Sequence, residues 1–67
     1  MFGLSMKVDK LGYLDKKFEG LDEHDVRSKA GSLFHAKSVE SVCVFDESGN
    51  VSLYLKKTPD GVHREGV

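Results

Sequence analysis

The chain has 67 residues, 39% apolar and 31% charged, with 10 Lys and Arg against 11 Asp and Glu for a formal net charge of −1. These are the proportions of a folded domain rather than a disordered chain. The charge balance argues against a generic polyanion binder, which needs a basic excess or a basic stripe. No apolar run approaches the ~18 residues of a membrane span, and the opening MFGLSMKVDK has neither an h-region nor a cleavage-site pattern. No membrane association and a cytoplasmic location are therefore expected.

Length limits stability. A domain this small buries only about 60% of the surface its unfolded chain exposes, and ordering costs roughly 1.5 kcal/mol per residue, so such chains often rely on a disulfide, a metal or a second subunit. Cys43 is the only cysteine, which closes the intrachain disulfide route. Within an apolar run it reads as a small packing residue.

The first element is a strand. Phe2, Leu4, Met6 and Val8 alternate with Gly3, Ser5, Lys7 and Asp9, a period of two that marks a half-buried strand. A turn near Leu11 and Gly12 leads to a short second strand over Tyr13 to Phe18, where the alternation is weak.

The segment LDEHDVRSKAGSLFHAK, from Leu21 to Lys37, predicts a helix. Asp22 as N-cap puts Glu23 and Asp25 in the first turn, where carboxylates suit the positive end of the dipole. The same placement makes Leu21 and Val26 the two partners of a hydrophobic staple. Val26, Ala30, Leu33, Phe34 and the stem of Lys37 form one stripe. Gly31 lies off that stripe and marks either a close approach or a soft spot.

Val42 to Lys57, VCVFDESGNVSLYLKK, predicts a β-hairpin. In the turn DESGN, Asp46 bonds the backbone ahead of it and Gly49 takes a left-handed conformation. A three-residue loop pairs Phe45 with Val51, Cys43 with Leu53 and Val42 with Tyr54, putting Val42, Val44, Ser52, Tyr54 and Lys56 on the face away from the core. A four-residue loop groups Val42 and Val44 with Val51, Leu53 and Leu55 and leaves Cys43, Phe45 and Tyr54 outside. Tyr54 is on the outer face in both. After Pro59–Gly61 the sequence loses periodicity, so residues 1–58 are expected to form one domain and 59–67 a flexible tail.

No constellation carries chemistry. His24 and His35 are about 16 Å apart on a helix, His63 is in the tail, and no His or Cys pair has the spacing of a zinc site, so no metal or other cofactor is expected. There is no nucleophile elbow and no phosphate-binding glycine loop, and Asp22, Glu23 and Asp25 read as a helix N-terminus. The expectation is therefore a protein without enzymatic activity. Lys7, Lys10, Tyr13, Lys16, Lys17 and Phe18 interleave basic and aromatic residues as single-strand nucleic-acid binders do, but Asp9, Asp15 and Glu19 lie among them.

The order of elements is β(β)αββ, an α+β two-layer fold with one helix on an antiparallel sheet of three or four strands. The uncovered apolar group points to a protein-interaction module, either a homodimer or a binder, inhibitor or regulatory accessory of a larger protein, with Val42, Val44, Ser52, Tyr54 and Lys56 at the interface. A nucleic-acid-binding regulator using Lys7 to Phe18 is the alternative, and a small-molecule sensor with a pocket between subunits is a third.

Overall fold

The computed structural model describes residues 1–66. Five strands and one helix follow in the order β1 (Phe2–Val8), β2 (Gly12–Phe18), α1 (Glu23–Phe34), β3 (Val39–Phe45), β4 (Val51–Thr58) and β5 (Gly61–Glu65). All neighbours are antiparallel in a single sheet of order β2-β1-β3-β4-β5. The α+β class stands, with five strands in the order ββαβββ.

The extra strand comes from the segment expected to be a tail. Pro59 and Asp60 form a two-residue turn between Thr58 and Gly61, after which Val62 pairs with Lys57, His63 with Lys56, Arg64 with Leu55 and Glu65 with Tyr54. Every residue of β5 is exposed, so no apolar alternation betrays it; backbone pairing to β4 alone makes it a strand. Val67 lies outside the described residues. No helix among those described is long and apolar enough to cross a membrane.

The helix begins as its sequence dictates. Asp22 is the N-cap, and its carboxylate accepts from the Asp25 N–H at 2.9 Å, while partly buried Leu21 packs on the cluster that holds fully buried Val26. The helix ends at Phe34, before Lys37, which falls in the turn to β3. No basic residue occupies the last turn. Lys57 of β4 supplies one instead: its ammonium donates to the Ala36 carbonyl at 2.7 Å and lies 5.1 Å from the Phe34 ring centre, where a cation suits the negative end of the dipole.

The core is the layer between α1 and the sheet. Val26, Ala30 and Phe34 of the helix meet Leu4, Val8, Val39, Val42, Val44, Leu53 and Leu55 from the three central strands. Leu33, expected in the stripe, sits at its edge with 37% of its surface exposed.

The hairpin register combines both expectations. The loop has three residues: the Asp46 N–H donates to the Asn50 carbonyl, the Gly49 N–H donates to the Asp46 carbonyl, both at 3.0 Å, and Gly49 has φ +85°. Phe45 then faces Val51 as that loop demands. An irregularity follows at once, so that Val44 faces Leu53, Cys43 faces Tyr54 and Val42 faces Leu55. One unpaired residue in β4, Ser52, switches the faces. It brings Val42, Val44, Leu53 and Leu55 together under the helix, the grouping of the four-residue alternative, while Val51 stays 57% exposed.

A Cβ built on Gly31 meets nothing within 4 Å, so it is the soft spot rather than a close approach. Gly31→Ala should stabilise the fold by about 1 kcal/mol, read as a higher urea midpoint at unchanged m-value. The Asp46 carboxylate accepts from the N–H groups of Asn50 and Ser48, each at 2.9 Å. The Asn50 bond foremost holds its carboxyl below the ordinary range. A carboxyl depressed by folding contributes stability fully above its unfolded value of about 3.9 and loses it as pH falls through the folded one. Urea midpoints measured against pH should therefore fall less steeply below about pH 4 in Asp46→Asn than in the parent chain.

Candidate functional site

One helix of twelve residues covers one face of a five-stranded sheet, and among the described residues no element lies on the other face. Alternation from the core positions places on it Tyr13, Asp15 and Lys17 of β2, Gly3, Ser5 and Lys7 of β1, Ser41, Cys43 and Phe45 of β3, Tyr54 and Lys56 of β4, and His63 and Glu65 of β5.

The centre of this face is apolar and only half covered. Cys43 and Tyr54 are direct cross-strand partners, and both are half-buried. The Tyr54 ring extends the group toward β5 by an edge contact with the His63 ring, centres 6.3 Å apart, and His63 Nε2 is 2.9 Å from Glu65 Oε1. At the other end the Phe45 ring lies across Gly3, its cross-strand neighbour: a Cβ on Gly3 would stand 2.5 Å from Phe45 Cε2. Glycine lets the ring lie flat on the sheet, and the ring in turn covers the glycine backbone. Burial pushes the Cys43 thiol above its usual value, so it is a poor nucleophile at neutral pH.

Tyr13 and Tyr54 flank a hollow of about 410 Å³, bordered also by Ser41. Ser41 is only 9% exposed although it lies on the open face. Lys7 and Glu40 form part of the rim and pair at 3.4 Å, and the Lys7 ammonium stands 6.0 Å from the Tyr13 ring centre. Lys56 closes the rim opposite Ser41.

The expected interface residues divide. Tyr54 and Lys56 are on the open face of β4, the first half-buried and the second exposed, and half-buried Ser52 is the unpaired residue of the same strand. Val42 and Val44 are not on that face: both are fully buried beneath α1, because the irregularity between Phe45 and Val44 turns them inward. Cys43 and Phe45 take their places, as the other register grouped them. Tyr13, expected only to meet nucleic acid, joins this face: the strand order β2-β1-β3-β4 brings the Tyr13 and Tyr54 rings to one hollow, with Ser41 between them in the sheet.

The basic and aromatic residues expected to meet nucleic acid do not share a surface. Lys7, Tyr13 and Lys17 are on the open face, Lys16 and Phe18 point to the helix side by strand alternation, and Lys10 sits in the β1–β2 turn with φ +70°. Among the described residues no group of three or more His, Cys, Asp and Glu side chains comes together as metal ligands would. Compared with protein-family models, with curated proteins and with solved structures, the chain matches none.

Gly3 and Phe45 should behave as a coupled pair. Gly3→Ala should destabilise by about 1–3 kcal/mol, the usual cost of overpacking, and by much less in a Phe45→Ala background. A double-mutant cycle from urea denaturation measures the difference.

Proposed function

We propose that this chain is a small non-enzymatic protein-interaction module that works through the helix-free sheet face, with Tyr54 as its anchor and a second copy of itself or a larger protein as its partner. The observation that carries the reading is the open face itself, where Phe45, Cys43 and Tyr54 run together as a half-covered apolar group with the Tyr13–Tyr54 hollow beside it. Exposed apolar groups of this kind mark interaction surfaces, and aromatic side chains beside a fillable hollow are the usual carriers of binding energy.

Size supports the same reading. Five strands of five to eight residues, about 4.8 Å apart and rising about 3.3 Å per residue, give a face on the order of 500 Å². Two such faces bury about 1,000 Å² together, the lower bound for a specific interface. Its charges are of both signs, Lys7, Lys17 and Lys56 with Asp15, Glu40 and Glu65, so two copies related by a two-fold axis have opposite charges to set against one another. Covering the face also adds the apolar burial that a chain of this length lacks.

The nucleic-acid reading has less support, since its basic residues fall on opposite sides of β2. Retention on heparin at low salt that falls steeply as salt rises would favour it instead.

Sedimentation equilibrium across the micromolar range should show reversible self-association or, with a purified partner, a complex. Tyr54→Ala should weaken either by roughly 2 kcal/mol. Alkylation of Cys43 should slow as protein or partner concentration rises. A chain that stays monomeric, with partner capture and thiol reactivity unchanged in Tyr54→Ala, ends this reading.

A further inference from the structure

A second surface lies on the helix side of the sheet, apart from the Tyr54 face. α1 sits chiefly over β3 and also covers β1, leaving β2 largely uncovered, and the groove between the helix and β2 has a volume of about 760 Å³, within the range of ligand sites. Its floor is apolar: Met6, Phe18 and Leu21 are partly buried there and Leu33 closes the far end, half-exposed. Five polar side chains border this floor. Lys16 of β2 and Lys29 of α1 bring their ammonium groups to 5.3 and 5.9 Å from the centre of one ring, that of Phe18. Ser28, Ser32 and Asp25 stand along the helix wall.

We propose that this groove binds a single-chain amphiphilic carboxylate, with its head between Lys16 and Lys29 and its apolar chain along Met6, Phe18, Leu21 and Leu33. One cation over a ring is a favourable contact; two repel each other, and neither lysine forms an ion pair among the described residues. An anion between them removes that repulsion while its tail covers the exposed floor. The positive charge gathers at one aromatic ring instead of being spaced along the groove. That suits a ligand with one charged head and an apolar body better than a peptide with acidic residues along its length. Asp25 on the same wall disfavours a second negative charge, so a monoanion fits better than a dianion.

The test is titration of the isotope-labelled 67-residue chain with dodecanoate below its micellar concentration, followed by amide and methyl NMR, beside the same titration with dodecyltrimethylammonium. Dodecanoate should bind saturably at one site, shifting Met6, Phe18, Leu21 and Leu33, and the cationic amphiphile should bind at least about tenfold more weakly. Lys16 and Lys29 are both exposed, so Lys16→Gln with Lys29→Gln should leave the fold intact and weaken dodecanoate binding about tenfold. The corresponding pair of arginine substitutions should retain it. Absence of saturation, equal binding of the two amphiphiles, or unchanged affinity in the glutamine pair overturns the proposal. So do shifts of the same residues on raising protein concentration without ligand, which would assign the groove to a second copy of the chain.

Discussion

The burial of Val42 and Val44 against the helix is the constraint on which the other features depend. Both are fully enclosed, and both belong to β3, the strand on which α1 chiefly rests. A strand has only two faces, so placing these valines inward sends Ser41, Cys43 and Phe45 outward. The partner strand must then present Leu53 and Leu55 inward and Tyr54 outward. A three-residue turn alone gives the opposite pairing. The irregularity at Ser52 reconciles a turn chosen by local chemistry with faces chosen by packing. Exposing Val42, Val44, Leu53 and Leu55 instead would forfeit about 1.5–3 kcal/mol each, far more than one disrupted ladder position costs.

The second consequence is asymmetry. One helix suffices to cover the three central strands, but the chain builds five. The outer strands β2 and β5 are exposed almost throughout, flanking the helix with open ground on one side of the sheet and widening the bare face on the other. The protein thereby has more half-covered apolar surface than its core requires, in two separate places: Tyr54 with Cys43 and Phe45 on the bare face, and Met6, Phe18, Leu21 and Leu33 beside the helix. Lysines border both, at Lys7 and Lys56 in one and at Lys16 and Lys29 in the other. Long cationic side chains cover apolar ground while their heads stay in water, and they discourage pairing between exposed edge strands.

Sequence reasoning reached the local chemistry and stopped where two elements had to be combined. Asp22 as N-cap, the Leu21–Val26 staple, the β1 alternation and the Asp46–Gly49 turn were all legible, because each depends on residues within a few positions of one another. The end of the helix was not: its C-terminal cation is Lys57, 21 positions from the carbonyl it meets. Strand β5 was missed for a related reason, since a strand exposed on both faces has no periodicity and exists through its hydrogen bonds to β4. Of the interface residues, Tyr54 could be placed in either register, whereas Val42 and Val44 depended on a pairing shift without a distinctive residue to announce it; Ser52 looks like any outward-facing serine.

The sequence by itself determined an α+β domain with a capped helix, a tight hairpin turn and an outward Tyr54, because alternation, capping and turn formation are short-range effects. Tertiary structure decided which apolar residues accompany Tyr54, that Gly3 carries the Phe45 ring, and that Lys16 and Lys29 gather over Phe18. These outcomes rest on contacts between strands and helix that are distant in the chain. Only the shared requirement to fill one core, with a one-residue shift to satisfy it, selects among the faces that the local pattern permits.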